Sequence, residues 1–241
     1  MRTESMSVIL PAYNEEDNIG PMVESAREVL PSIVSDYEII VVNDGSRDRS
    51  AEVLQELSAA HPEVRTVTHE TNQGYGAALK SGIRAARMDL IFFTDCDLQF
   101  DLRELPGLLQ WVGDFDVAAG YRVARQDPFH RRLNAFGWNV LVRLLFGLRI
   151  RDIDCAFKVF RRPVFEQVEV ESVGAMVNTE ILVQCKQFGL TVKEVPVNHF
   201  PRKHGEQSGA NPRVVLKAFG ELIKLHGKLK QRRPPRGAER N

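Results

Sequence analysis

Long apolar runs are what this sequence most plainly lacks. No stretch of its 241 residues approaches the roughly 20 apolar residues that cross a bilayer, and the N-terminus MRTESMSVIL shows no charged-then-apolar leader pattern. Cysteine is scarce: Cys96, Cys155 and Cys185 are too few and too widely spaced for a disulfide framework or a zinc ligand set. A reduced, cytoplasmic setting is the expectation. The six histidines make no HExxH, and no G-x-S-x-G occurs, which speaks against zincins and nucleophile-elbow hydrolases. NQGYGAALKSG (Asn72–Gly82) falls short of G-x-G-x-x-G because Leu79 stands where the last glycine belongs. A hydride-transferring enzyme is therefore disfavoured, and a glycine-rich helix start that a ligand approaches closely is the modest alternative.

Net charge is also missing, with 32 basic and 32 acidic side chains. The balance hides an asymmetry. Residues 1–120 carry 9 Lys and Arg against 21 Asp and Glu, whereas residues 121–241 carry 23 against 11. An acidic half could hold cations and a basic half could meet anions, the bland alternative being a chance distribution of solvated charge.

What is present reads as an ordinary globular protein, 43% hydrophobic and 27% charged. Short apolar runs bounded by turn residues predict strands at Ser7–Leu10, Tyr37–Val42, Val64–His69, Leu90–Thr94 and Phe115–Gly120. Helical patterns lie between or after them at Asp17–Leu30, Asp48–Ala60, Gly74–Ala86 and Asp101–Trp111, the second capped by Asp48 or Ser50. Such alternation predicts an α/β fold with a doubly wound, mainly parallel sheet. The second half predicts helices at Pro128–Leu148 and Pro212–Leu229 and a strand at Val192–Phe200. One folded unit over residues 1–230 is expected, followed by a charged, Pro-rich tail (231–241) that reads as disordered.

Ligands of such sheets bind beyond the carboxyl ends of the strands. PAYNEE, NDGSRD and TDCDLQ stand just there, after the first, second and fourth predicted strands. In DLIFFTDCDLQF, Asp95 and Asp97 would share one face of an extended segment, about 6–7 Å apart, with Gln99 next in line. Like charges leaving a buried run imply a missing cation, and Mg²⁺ or Mn²⁺ suits carboxylate oxygens while leaving room for phosphates. A helix cap at Asp97 or Asp101 explains one aspartate but not two. Asp44 could serve a turn or accept bonds from a nucleoside, and Glu15 could serve a helix start or a ligand. Residues 121–151 hold seven arginines and one acid, Asp127, interleaved with apolar residues at helical spacing. That pattern fits a helix on an anionic membrane surface or an ordinary core helix with solvated arginines, and no aromatic-basic signature of nucleic-acid binding accompanies it.

Together VILPAYNEEDNI, EIIVVNDGSRDRS, ETNQGYGAALKSGI and IFFTDCDLQ, followed by GYR, DIDCAFKVFRR and EVPVNHFPRKHG, resemble the family 2 glycosyltransferases of GT-A fold. The nearest branch resembles the polyprenol-phosphate (dolichol-phosphate) sugar transferases, over about residues 7–208. The resemblance implies an inverting hexosyltransferase, with mannose from GDP-mannose as donor sugar and a polyprenyl phosphate as acceptor. With the charge asymmetry it implies a nucleotide and metal half (1–120) and a basic acceptor half (121–230). Many members carry transmembrane helices after this domain, a pattern this sequence departs from, and a peripheral place at the inner face of a membrane is the expectation. Pro11, Ala12, Tyr13, Glu15, Val42, Asp44 and Cys96 would surround the donor with Asp95 and Asp97. Asp95, Asp97 and Gln99 would hold the cation, and Arg122, Arg131 and Arg202 would contact phosphates. A soluble hydroxyl acceptor or a UDP-sugar donor is the alternative, with Glu180 as the candidate base. RKHGEQSG departs from the family's usual R-x-x-G-x-S spacing.

Overall fold

The structure, a computed structural model, describes residues 4–123, 137, 140–202 and 212–231, with side chains from 220 to 229 in the last segment. The strands are β1 (Met6–Ala12), β2 (Tyr37–Asn43), β3 (Val64–Thr68), β4 (Leu90–Phe93), β5 (Val117–Val123), β6 (Lys158–Arg161) and β7 (Val192–Asn198). Their order in the sheet is β3-β2-β1-β4-β6-β5-β7. Every pairing is parallel except those of β6 with β4 and with β5.

The alternation of side chains along a strand divides the core. Val8 and Leu10 of β1 face one layer, where α1 (Glu16–Val29) supplies Ile19 and Met22 and α4 (Leu105–Leu109) supplies Leu105 and Leu108. Ile9 faces the other, with Ala78 and Leu79 of α3 (Tyr75–Ala85) and Val177 and Ile181 of α6 (Val177–Gln187). Between α1 and α3 in sequence, α2 (Ser50–Ala60) adds Leu54 to the first layer. Phenylalanines seal the seam between β4 and β6: Phe93 stacks on Phe160 at 5.3 Å, and Phe92 meets Phe157 edge-on at 4.8 Å. Each such ring removes enough surface from water to contribute roughly 2–3 kcal/mol. A third cluster joins the outer side of α6 to helical residues 140–146 and to α7 (Pro212–Gln231).

The first four predicted strands stand within two residues of their expected ends. The fifth starts and ends later than the predicted Phe115–Gly120, so GYR belongs to the strand itself. The helix expected over Asp101–Trp111 is broken into a 3₁₀ turn at Leu102–Glu104 and the short α4. Asp101 caps the turn by accepting the Arg103 N–H, and Pro106, which lacks an N–H, starts the new helix. Of the predicted Pro128–Leu148 helix, residues 128–136, 138 and 139 lie outside the described residues. The described part ends at Gly147 (φ +63°), whose N–H returns to the Arg143 carbonyl. Tail residues 232–241 also lie outside them. The antiparallel β6 and α5 (Val164–Gln167) were not anticipated, and α6 was expected only as the setting of Glu180 read as an ordinary helix residue. All nine residues from Val177 to Cys185 are buried, so α6 lacks the polar face that makes a helical period readable.

Candidate active site

The loops after β1 and β2 are knitted together by their polar residues. Asn14, in the left-handed region (φ 55°), donates its N–H to Ser46 Oγ (3.0 Å), and its side-chain oxygen accepts the Arg47 N–H (2.8 Å). Ser50 Oγ accepts the Glu15 N–H, and Asp48 accepts those of Glu16 and Ser50. PAYNEE and NDGSRD are thus one rim. Tyr13 stands exposed on it, Pro11 is half-buried, and Ala12, Val42 and Cys96 are buried beneath.

Asp44 is only 3% exposed, and its carboxylate is engaged inside the protein. It pairs with His69 Nδ1 (2.6 Å) and accepts the N–H groups of Gln73 (2.9 Å) and Gly74 (2.8 Å). His69 Nε2 meets Ser81 Oγ at 2.8 Å. Asp44 therefore shapes the turn into NQGYG, where Gly74 has φ +102°. Gly76 lets that helix start touch the loop before α6: a Cβ there would stand 2.2 Å from the Ser172 carbonyl oxygen. Glu180 anchors the same loop, accepting the N–H groups of Glu171 (3.0 Å) and Ser172 (2.8 Å) from a 2% exposed position.

Asp95 and Asp97 leave β4 at the switch point of the sheet, beside β1. Leu98, the next residue, has φ 59°, a costly conformation for a branched side chain that functional sites retain. Burial raises the carboxyl of Asp95, although the Tyr75 hydroxyl and then the charges of Arg122, Lys158 and Arg202 favour its ionised form. Asp97, 7% exposed, is pushed up to about 7, first by burial and then by the charge of Asp95, against the N–H of Gln99 and the charge of Arg202. Capping does not account for the pair, since Asp101 caps the following turn.

The end of β7 closes over this loop. The Phe200 N–H donates to the Gln99 carbonyl (2.8 Å), and Gln99 Nε2 donates to the Phe200 carbonyl (2.9 Å). Gln99, expected beside the cation, thus uses its amide N–H in that clasp. Two residues on, Arg202 bonds Glu15 and stands 3.9 Å from Asp97. Glu15, Asp97 and Arg202 are therefore gathered from three distant segments. Arg122 is bound by Asp152 through two bonds of 2.7 Å, and although burial opposes its charge, that pairing holds its pKa above the ordinary value. Arg131 lies outside the described residues.

Among the described residues no group of three or more His, Cys, Asp or Glu could by itself hold a metal ion. Two buried carboxylates raised above their usual range, with no third acid to complete a cage, suit a hard cation that is shared with substrate phosphates. The buried Tyr75 hydroxyl lies beside Asp95 and Asn178. His69, Tyr75, Lys158 and Asn178 are site neighbours to which the sequence assigned no role, although Tyr75 lies in ETNQGYGAALKSGI and Lys158 in DIDCAFKVFRR. A lone lysine inside CAFKVF was the available signal.

Residues 7–169 match the family described as Glycosyl transferase family 2. The chain is 35% identical over 209 residues to glycosyltransferase AglD of Haloferax volcanii, covering 82% of this chain and 33% of that protein. It is 32% identical over 247 residues to an undecaprenyl-phosphate 4-deoxy-4-formamido-L-arabinose transferase of Edwardsiella ictaluri, covering 92% of this chain and 73% of the relative. The chain thus spans a third of the first relative's length and nearly three quarters of the second's. Glucosyl-3-phosphoglycerate synthase of Mycobacterium tuberculosis superposes on 97% of this chain and 82% of its own, at 20% identity and TM-score 0.70, in a crystal with Mn²⁺, UDP and glucosyl-3-phosphoglycerate. Its complex with phosphoglyceric acid gives a TM-score of 0.74 at 19% identity, with the same coverage. At such identity the likeness shows the fold, which is GT-A.

Proposed function

From a chain that belongs to glycosyl transferase family 2, we propose an enzyme that moves a sugar from a nucleotide donor to a polyprenyl phosphate. The observation that carries this is the buried pair Asp95 and Asp97, gathered with Glu15 and Arg202 at the switch point of the sheet.

Asp95 and Asp97 would hold Mg²⁺ or Mn²⁺ on the donor diphosphate. When bound, the cation acts as a Lewis acid toward the charge that gathers on the departing nucleoside diphosphate. The rim carrying Tyr13 and Glu15 would receive the nucleoside, and Asp44 would act by holding the 73–74 turn. Arg202 and Arg122, with Arg131, would take phosphates of donor and acceptor. A lipid phosphate is anionic at neutral pH and attacks without a general base; it needs arginines. The engagement of Glu180 by two backbone N–H groups supports that choice of acceptor.

Mannose from GDP-mannose is the donor that the family resemblance suggests. The Edwardsiella relative is named for a 4-deoxy-4-formamido-L-arabinose, and the solved neighbour holds UDP, so uridine-linked donors belong beside it. No helix among the described residues is long and apolar enough to cross a membrane. Contact with lipid would run through the basic half, where Leu144 and Ile223 stand exposed.

A second reading, a soluble phosphorylated acceptor, is favoured by the fold neighbour crystallised with phosphoglyceric acid. A panel of radiolabelled GDP- and UDP-sugars with Mn²⁺, offered polyprenyl phosphate or phosphoglycerate, tests both. Label extracted into the organic phase is expected. Label confined to an aqueous phosphoglycerate product would replace the first reading with the second, and no transfer to either would overturn both.

A further inference from the structure

Lys158 is 0% exposed, in the middle of the sheet between β4 and β5. Its Nζ donates to the Ile153 carbonyl (3.1 Å), to the Cys155 carbonyl and to Asn178 Oδ1 (3.1 Å). Three neighbouring acceptors suit the three N–H groups of an ammonium, although burial lowers its pKa. Among the described residues none of those partners is an acid. A buried cation held by neutral dipoles is costly, and an apolar side chain of similar volume is commonly the more stable choice. Packing therefore gives no reason for a lysine here.

Its position does. Lys158 is the register partner of Phe93, whose ring lies 5.8 Å from Nζ, and Phe93 stands two residues before Asp95. Asn178, which Lys158 holds, lies beside the Tyr75 hydroxyl, and Tyr75 lies beside Asp95. Asp152 and Asp154 also feel the ammonium, but Asp152 is already neutralised by Arg122. Asp95 is acted on by Arg122, Lys158 and Arg202 together. Of these, Arg122 is paired with Asp152 and Arg202 with Glu15, leaving Lys158 as the cation of the three without an acidic contact among the described residues.

We propose that Lys158 is a positioning residue of the donor site, a fixed buried cation near Asp95 that makes the site select a metal–diphosphate complex over the bare metal ion. This rests on the donor-site reading above. A positive charge near a metal-holding carboxylate opposes a lone divalent cation, yet it favours the more negative ensemble of cation and diphosphate. The two ligands should therefore respond in opposite directions when the charge is removed, which a merely structural role would not produce.

The test uses the full chain, with Lys158→Met and, because that variant could fold poorly, the nearly isosteric Asn178→Asp, which places a carboxylate against Lys158 and cancels its field. Binding of Mn²⁺ alone is followed by electron paramagnetic resonance of the free ion, and binding of UDP and of GDP in the presence of Mn²⁺ by calorimetry. Loss of the field is expected to weaken diphosphate binding about five- to twenty-fold, while Mn²⁺ alone, compared at the alkaline limit of a pH series where the carboxylates are ionised in wild type and variant alike, binds as well or better. Weakening of both ligands together, or unchanged diphosphate binding in a folded variant, would overturn the assignment to Lys158. A wild-type chain that binds neither nucleotide with Mn²⁺ would instead overturn the donor-site reading, and this proposal with it.

Discussion

Arg122 and Asp152 meet through two hydrogen bonds of 2.7 Å, Nε to Oδ2 and Nη2 to Oδ1, and Asp152 also accepts the backbone N–H of Arg122. Both side chains are largely buried. A planar guanidinium and a carboxylate match in this way, and the pair joins the end of β5 to the segment that precedes β6.

Breaking that pair leaves a charge without compensation. Asp152→Ala is expected to cost about 3–5 kcal/mol in urea unfolding. The double change Arg122→Met with Asp152→Leu should recover most of the loss, because it removes both charges at once. Equal losses in the single and double variants would show that the cost lies elsewhere.

Asp97 makes stability depend on pH in a definite direction. Its folded-state carboxyl titrates near about 7, against an ordinary value of 3.8, so the folded chain binds more protons than the unfolded chain between those values. Metal-free stability should therefore fall as pH rises from about 4 to about 7 and level off above, by an amount on the order of a few kcal/mol. Asp97→Asn should flatten this slope and raise the metal-free melting temperature at pH 8. The same variant should abolish metal-dependent transfer; full activity would remove Asp97 from the site.

Glu180 separates two chemistries. As an acceptor for two backbone N–H groups it is structural, so Glu180→Gln, whose oxygen can still accept, should keep transfer to a lipid phosphate within about tenfold of wild type. Glu180→Ala should lower stability by about 1–3 kcal/mol by leaving buried donors unpaired. Near-complete loss of turnover in the folded glutamine variant would make Glu180 a general base.

Gly76 is a steric requirement. Its absent Cβ would stand 2.2 Å from the Ser172 carbonyl oxygen and 2.8 Å from that of Gly174, both backbone atoms. Gly76→Ala should destabilise the fold by about 1–3 kcal/mol in thermal unfolding, by pushing the start of α3 off the loop that Glu180 anchors. An unchanged melting temperature would mean that the loop yields freely.

The Rossmann-like half was readable because each element there carries its own local signal. Apolar runs end in turn residues at β1, β2 and β4, and amphipathic helices separate them, so the carboxyl-end loops and their acidic residues could be placed without coordinates. The second half carries weaker signals. Buried on all sides, α6 loses its period, and β6 is four residues long and opens with a lysine. Its antiparallel course depends on neighbours far away in the chain.

By itself the order of residues determined the alternation of strands and helices and the placement of Asp95 and Asp97 at the mouth of the sheet. Only tertiary structure decided what each charged group does there. It tied Asp44 to His69 and the Gln73–Gly74 turn, Arg122 to Asp152, Glu180 to a loop, and Arg202 to Glu15 across 187 positions. Secondary structure follows from periodicities a few residues long, whereas the partner of a buried charge is set by which distant segments the packed core brings within a few ångströms.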